Sequence, residues 1–171
     1  MTWTLRGKVL KYGDNVDTDV ILPGKYLIYI DPEELAKHAM EGLDPLFPEK
    51  ARGGCILVAG RNFGCGSSRE QAPVALKHAG VRAVVAESFA RIFFRNAFNV
   101  GLPAVALQGA STLLNEGDLA EVDLEAGLVR NLTTQRQASF KPLPPMLLEV
   151  LASGGLVEYM RLRLAGSARA S

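Results

Sequence analysis

Three short apolar runs, separated by helix-like segments, constrain the fold of this chain more than any other feature. The runs are CILVA at 55–59, RAVVA at 82–86 and PAVAL at 103–107. Continuous apolar runs of this length are typical of parallel strands that are buried on both faces. The segments between them, 68–78 and 88–98, carry apolar residues at helical spacing. This strand–helix–strand–helix–strand order predicts an α/β fold around a parallel sheet.

Weaker patterns on either side of this core extend the sheet. Residues 4–10 are rich in apolar and β-branched side chains and predict a first strand. Residues 119–124 and 128–132 predict a hairpin that turns at 125–127, and 137–140 predict one more strand.

Capping signals and periodicity predict two further helices. One begins at Asp31, with Pro32 at its first helical position and acidic residues in its first turn. The other, a final helix, covers 144–152 and ends at two glycines, while the Gly- and Pro-rich segment 42–54 is expected to be a loop. The residues expected to face inward on the helices that begin near 31, 88 and 144 are Leu35, Ala36, Ala39, Met40, Phe89, Ile92, Phe93, Ala97, Met146, Leu147, Val150 and Leu151.

Length and charge restrict the class of protein. The 171 residues contain no repeat and no clear linker, so we expect a single domain over 1–171, with a small, polar tail at 166–171 that frays. The net charge of +1 gives no electrostatic footprint for nucleic acid or an anionic membrane. No apolar run is long enough to span a bilayer, and residues 1–11 lack the pattern of a signal peptide, so we expect a cytoplasmic protein.

The two cysteines, Cys55 and Cys65, do not predict a disulfide framework. An iron–sulfur cluster normally takes three or four thiolates, so this chain alone is not expected to hold one. Cys65 stands in a loop near a helix, where a reactive thiol and a merely small residue are both open readings. The other candidates for chemistry, His38, His78, Arg91 and Arg95, have no partner at ligand spacing and are expected to be surface or satisfied residues.

The most informative segment is RNFGCGSSRE at 61–70, between a predicted buried strand and a helix. Gly66 and the glycine two residues before it let the backbone approach a ligand closely. The start of the following helix offers free N–H groups, Arg69 offers a cationic fork suited to a carboxylate, and Ser67 and Ser68 add hydroxyls. Together these features predict an anion pocket at the carboxyl end of a parallel strand.

A structural interpretation competes with this one. Ser67 and Glu70 have the S-x-x-E spacing of a capping box, and spacing alone favours that role. The two roles are compatible only if the capping N–H groups also stabilise an alkoxide at the hydroxyl. The segment is neither a P-loop nor a nucleophile elbow, because it lacks both the Gly-Lys-Ser/Thr ending and a G-x-S-x-G pattern.

A second polar segment, NVDTDVILP at 15–23, contains Asp17 and Asp19. These carboxylates are candidates for an acid–base pair, a metal site or turn residues, and turn chemistry is the commonest use of such a segment. Two carboxylates without a nearby third ligand make a weak metal site.

The segments 15–23, 62–70 and 88–91 resemble, in content, order and spacing, three motifs of the swivelling domain of the aconitase superfamily. The resemblance covers roughly residues 5–107. The chain is similar to the free-standing form of that domain, which is a small subunit. The resemblance implies a three-layer β/β/α swivelling domain. It also implies a two-subunit hydro-lyase whose large subunit carries a four-iron, four-sulfur cluster as Lewis acid.

The same resemblance implies roles for individual residues. Ser67 matches the serine that removes a proton from carbon, and Arg69 matches an arginine that binds a substrate carboxylate. Ser68 and Gly66 belong to the same anion site. Asp19 matches an aspartate that orients a catalytic histidine of the large subunit.

The segment after Pro23 bears on specificity. Members of the superfamily that accept a third carboxylate, such as homoaconitases, tend to carry an arginine where this chain has Ile28. An apolar side chain leaves such a carboxylate unpaired and favours isopropylmalate, while dimethylmalate and methylmalate stay open. The predicted specificity loop comprises Tyr26, Leu27, Ile28 and Tyr29, and the structural alternative is a strand edge packed on the domain.

One alternative function comes from another class, a non-catalytic module that binds phosphate at the Gly-rich loop. Asp19 and Ile28 beside the Ser67 loop favour the enzyme subunit, because a phosphate cradle needs neither.

Overall fold

The computed structural model describes residues 3–170, with side chains described as far as residue 166. Within this range no helix combines the length and the hydrophobicity needed to cross a membrane. The expectation of one domain over 1–171 stays a prediction. The expectation of a frayed tail at 166–171 also stays a prediction, and residue 171 lies outside the described range. The backbone is helical as far as Ala170.

In the described part of the chain, seven strands form one sheet in the order β4-β3-β2-β1-β5-β6-β7. Strands β1 to β4 pair in parallel, and β1, β5, β6 and β7 pair antiparallel. The sheet therefore has a parallel half and an antiparallel half that meet at β1, and the predicted α/β class with a parallel core is confirmed. The strands are β1 (Thr4–Lys11), β2 (Cys55–Ala59), β3 (Val81–Ala86), β4 (Ala104–Ala106), β5 (Leu119–Asp123), β6 (Leu128–Asn131) and β7 (Arg136–Ser139).

Alternate residues of the parallel strands belong to two separate cores, which explains why their sequences are continuously apolar. In β2, Leu57 packs with the helix-side core, whereas Ile56 and Val58 pack with β5, β6 and the short helix at Ala110–Leu113. The parallel strands thus have most of the helices on one face and the antiparallel strands on the other, as the β/β/α layering requires. The helices are α1 (Thr18–Ile21), α2 (Pro32–Ala36), α3 (Phe47–Ala51), α4 (Gln71–Ala79), α5 (Arg91–Asn99), α6 (Ala110–Leu113), α7 (Pro145–Ala152) and α8 (Leu156–Ala170), with a 3₁₀ turn at Gly24–Tyr26.

Within residues 3–170, four helices are absent from the sequence-based prediction. Two of them, α1 and α6, have four residues each and are too short for a periodic pattern. The other two are longer. The first, α3, lies in the segment expected to be a loop; it has only five residues, too few for a periodic pattern, and is anchored by the fully buried Phe47. The second, α8, follows the helix that was expected to be the last. Its apolar residues Val157, Met160 and Leu164 are exposed, so they give no core-facing signal.

Two residues expected to face inward are exposed instead. Ile92 is 52% exposed and Met146 is 57% exposed. Both lie in the first turn of their helices, α5 and α7. In α7 the buried positions are Leu148 and Val150.

Candidate functional site

The three motif segments meet beyond the carboxyl ends of β1 and β2. Asp17 forms a bridge with Cys65, and the Thr18 N–H donates to the Cys65 carbonyl at 2.8 Å. The Thr18 hydroxyl donates to the Ser67 carbonyl at 2.7 Å. The third motif joins through Ser88, whose hydroxyl accepts the N–H of residue 62 at 2.8 Å. The structure therefore brings together the segments 15–23, 62–70 and 88–91, which are far apart in the sequence.

The glycines of the loop serve packing within the chain. Gly66 has a φ of +90°, and a Cβ at this position would lie 2.6 Å from the Asp17 carboxylate. Gly64 also has a positive φ, and a Cβ there would overlap the Phe93 ring. Any side chain at either position would push apart the segments that form the site.

The predicted capping box is wrong. Helix α4 begins at Gln71, and its N-cap is Glu70, which makes no side-chain capping hydrogen bond. The Thr18 hydroxyl holds the Ser67 carbonyl well before the helix, so the chain reaches α4 only four residues later. Ser67 and Ser68 are exposed, and within residues 3–166 the Ser67 hydroxyl makes no hydrogen bond.

A cavity of about 210 Å³ lies beside these serines. Its opposite wall is the start of α5, whose N-cap Ala90 has no side-chain oxygen to bind the first N–H groups. The lining residues include the start of α5 but not the first residues of α4, so the expectation that α4 supplies donors to the site stays a prediction. The cavity is lined by Thr18, Gly64, Gly66, Ser67, Ser68, Arg69, Ala90, Arg91, Ile92, Phe93 and Asn96.

The sequence did not identify six of these lining residues as part of a site. Arg91 was expected on the surface and is exposed, yet it lines the cavity. Asn96 donates to the Ser68 hydroxyl at 3.4 Å. Thr18, Ala90, Ile92 and Phe93 complete the set. The available signals were that 15–23 and 88–91 formed two of the three motifs.

An ion pair joins Arg69 to Asp19. The Arg69 Nη1 donates to Asp19 Oδ1 at 2.7 Å and to the Leu22 carbonyl at 3.0 Å, and the Gly24 N–H donates to the same Asp19 oxygen at 3.0 Å. These hydrogen bonds, chiefly that from Arg69, lower the pKa of Asp19. The Arg69 side chain is 19% exposed, and its Nε and Nη2 make no hydrogen bond within residues 3–166. One edge of the guanidinium is thus held by the protein, while the other stays available for a carboxylate.

The predicted specificity loop begins at this ion pair. It forms the 3₁₀ turn and a following turn, so the alternative of a packed strand edge is wrong. Tyr26 and Leu27 pack against the helix-side core, whereas Ile28 is 78% exposed and Tyr29 is 37% exposed. Ile28 does not line the cavity described above. Its role toward a substrate stays a prediction.

The residues of this chain do not fit an iron–sulfur cluster. Within residues 3–166, no group of three or more His, Cys, Asp or Glu side chains is arranged to hold a metal ion. Cys55 is buried in β2, and desolvation raises the pKa of its thiol to about 12, which keeps it protonated near neutral pH. Cys65 alone cannot replace the three or four thiolates that such a cluster needs.

Comparison with known proteins agrees with this geometry. A family model described as the aconitase C-terminal domain matches residues 12–109. The chain is 60% identical over 159 residues to the 3-isopropylmalate dehydratase small subunit of Pyrobaculum calidifontis, covering 93% of this chain and 98% of that one. It is 54% identical over 163 residues to the isopropylmalate/citramalate isomerase small subunit of Methanocaldococcus jannaschii, covering 95% and 97%.

A solved structure extends this similarity to three dimensions. The crystal structure of a 3-isopropylmalate dehydratase from Methanocaldococcus jannaschii superposes with a TM-score of 0.91 at 43% sequence identity. The match covers 98% of this chain and 99% of that one, so the antiparallel half and the C-terminal helices are included.

Proposed function

The chain belongs to the aconitase C-terminal domain family, and from this premise we propose that it is the small subunit of a 3-isopropylmalate dehydratase. This enzyme isomerises 2-isopropylmalate and 3-isopropylmalate by dehydration and rehydration in leucine biosynthesis. The observation that carries the proposal is identity of 53–60% with small subunits of that name over more than nine tenths of the chain.

Ser67 is the proposed base. Its hydroxyl is exposed beside the cavity and carries no capping duty, so it is free to exchange a proton with the substrate carbon. A serine hydroxyl is a weak base in water, and it needs stabilisation of its alkoxide form. The uncapped start of α5 and the Arg69 guanidinium provide positive potential across the same cavity.

Arg69 is the proposed carboxylate ligand. Asp19 and the Leu22 carbonyl hold Nη1, which orients the free Nε and Nη2 edge before the substrate arrives. Ser68 and the backbone at Gly66 complete the anion site. The second proposed role of Asp19 is to orient a catalytic histidine of the large subunit, because most of its side chain is exposed.

We assign the four-iron, four-sulfur cluster to a large subunit, since the thiols of this chain do not fit it. When bound there, the cluster supplies a Lewis acid for the substrate hydroxyl. Closing the two subunits over the cavity excludes water, which strengthens every charge interaction in the site. The proposed partners of the chain are thus the large subunit and a small hydroxy-diacid substrate. We propose a cytoplasmic location and no binding to nucleic acid or to a membrane.

Reconstitution tests the proposal. The purified chain should be colourless and inactive alone, and it should restore isopropylmalate isomerisation when mixed with a cluster-loaded large subunit. Activity would be followed as absorbance of the unsaturated intermediate diacid. Hydro-lyase activity of the isolated chain, or iron absorbance that survives chelation, would contradict the two-subunit assignment. A chain that binds phosphate but never supports turnover would instead favour an anion-binding module.

A second substrate is supported by one relative, whose name includes citramalate, a methyl-bearing malate. We propose that Ile28 faces the alkyl group and disfavours a third carboxylate, as in homoaconitate. Ile28→Arg, paired with the large subunit, should lose isopropylmalate activity and gain activity on homoaconitate. Because Ile28 is 78% exposed, the variant should fold normally. A folded variant with unchanged substrate preference would refute this role.

A further inference from the structure

A cluster of ring and carboxylate side chains holds the segment 24–30 against the domain. The Tyr26 ring stacks on the His38 ring with centroids 3.6 Å apart and planes 7° apart. The Tyr26 hydroxyl donates to Glu41 Oε1 at 2.8 Å, and Glu41 Oε2 lies 2.7 Å from His38 Nδ1. One carboxylate therefore binds both stacked rings, which fixes the position and the tilt of Tyr26.

The base of this cluster is rigid. Ala39 and Met40, which lie between His38 and Glu41 in sequence, are fully buried. The Met40 N–H donates to the Ile21 carbonyl at 2.7 Å, which ties the base to α1. Helix α1 also carries the carboxylate that holds the arginine of the candidate site, so the cluster and that site share one support.

Ile28 lies between two hydrogen-bonded turns of the clamped segment. The Leu27 N–H donates to the Gly24 carbonyl, and the Tyr29 N–H donates to the Tyr26 carbonyl, both at 3.1 Å. Ile28 is 78% exposed although Tyr26, two residues before it, is fixed. The clamp thus presents an apolar side chain outward in a defined position.

We propose that Glu41 and His38 are positioning residues for substrate selectivity. They fix Tyr26, and through it the distance at which Ile28 meets the alkyl group of the substrate. The inference rests on the proposed function, because it takes Ile28 as the residue that faces this group. A preorganised contact binds more strongly than a mobile one, since the loop loses less conformational freedom on binding.

Glu41→Ala, measured in the reconstituted two-subunit enzyme, tests the inference. A methylene-sized contact in a pocket is worth about 10–200-fold in discrimination, and we expect loss of placement to forfeit about tenfold. The KM for isopropylmalate should rise about tenfold with kcat changed less than about threefold. For citramalate, whose methyl group reaches less far, kcat/KM should change less than about threefold. The preference for isopropylmalate over citramalate should therefore narrow.

Two further variants separate positioning from general stability. Glu41→Gln keeps a carbonyl that accepts the Tyr26 hydroxyl and should restore most of the preference. Glu34→Ala is the matched control, because Glu34 is a partly exposed carboxylate of α2 that pairs with Lys37 outside the cluster. Glu34→Ala should leave kcat and KM unchanged for both isopropylmalate and citramalate. If Glu41→Ala fails to fold, Tyr26→Phe replaces it, because this variant removes only the hydroxyl that binds Glu41. It should narrow the preference for isopropylmalate over citramalate in the same way.

Hydrogen exchange of the free chain gives a readout that does not depend on turnover. The amides of Leu27 and Tyr29 should exchange faster in Glu41→Ala than in the wild-type chain. Faster exchange with an unchanged preference would overturn the inference and leave the proposed function intact. Unchanged exchange would overturn it as well. A wild-type pair inactive on every alkyl malate would instead refute the proposed function, and the inference with it.

Discussion

The two halves of the sheet each hold an arginine against a carboxylate, and they use the pair differently. In the antiparallel half, Glu121 accepts from Arg6 and Arg130, both at 2.6 Å, and its side chain is only 5% exposed. In the parallel half, the Asp19 side chain is 64% exposed and accepts a hydrogen bond from a single nitrogen of Arg69, Nη1. The first carboxylate has both oxygens bound, whereas the second pair leaves one guanidinium edge free.

This difference separates structure from function within one sheet. Around Glu121, the charges lie directly opposite each other on adjacent strands, with Arg6 paired to Glu121 and Glu121 to Arg130. Around Arg69, the groups come from α1 and from loops beyond the strand ends. The Ser67 hydroxyl and the first N–H groups of α5 have no partner from the part of the chain that the structure describes. Groups without partners next to a cavity are available to a ligand. The predictions below follow from this contrast.

Ser67→Ala should have the largest effect. Loss of a catalytic base costs about 10²–10⁴-fold in rate, and we expect kcat of the two-subunit enzyme to fall by this range. Because Ser67 caps no helix, its free energy of unfolding should change by less than about 0.5 kcal/mol, as for an ordinary surface position. Steady-state kinetics and urea titration measure the two quantities.

The matched control for Ser67 lies in the antiparallel half. Ser139, at the end of β7, is also exposed, so Ser139→Ala should leave both turnover and stability unchanged. A Ser67→Ala enzyme that keeps most of its turnover per folded molecule would contradict the role of Ser67 as base. A large loss of stability would show that the hydroxyl has a structural role after all.

Arg69→Lys should have an intermediate effect. An ammonium group keeps the charge but cannot form two parallel hydrogen bonds to a carboxylate. Hydrogen bonds to charged groups contribute about 1.5–3 kcal/mol, so KM should rise about tenfold or more. The control is Arg130→Lys, which alters the arginine on the antiparallel side and should leave KM unchanged. Equal effects of the two variants on KM would remove the distinction between the halves.

The sequence predicted the strands of the parallel half better than it predicted the contacts between the segments around them. Continuous apolar runs identified β2, β3 and β4, because alternate residues of each strand pack into the cores on the two faces of the sheet. The convergence of Asp19, Ser67 and Arg69 followed from a resemblance of motifs, and the structure brings these residues together.

What the sequence did not reveal depends on contacts between distant segments. The S-x-x-E spacing suggested a cap at Ser67, but Thr18 binds the Ser67 carbonyl and keeps it outside the helix. No local pattern contains that contact. The same holds for the start of α5 as a wall of the cavity, and for Glu41, which joins Tyr26 to His38 across 15 residues. Local periodicity also cannot detect α8, because most of its apolar side chains are exposed.

The smallest predicted effect concerns the pH dependence of stability. Hydrogen bonds from Arg130 and Arg6 lower the pKa of Glu121 below its ordinary value of 4.5. A carboxyl whose folded pKa is lowered contributes stability above its unfolded pKa, and this contribution is lost as the pH falls through the folded value. Glu121→Gln should therefore lower the free energy of unfolding by about 1 kcal/mol at pH 7, because both arginines are partly exposed and screened by solvent.

The difference between wild type and Glu121→Gln should shrink below about pH 4.5, since the wild-type carboxylate then becomes protonated as well. Urea titrations at pH 7 and pH 3.5 measure it. Asp19→Asn is the comparison from the parallel half: the pKa of Asp19 is also lowered, but its side chain is 64% exposed, so its removal should barely change stability at either pH. Its effect should appear instead in KM, because Arg69 loses the partner that orients it. If Asp19→Asn destabilises the fold as much as Glu121→Gln and leaves KM unchanged, then the pair in the parallel half is structural too.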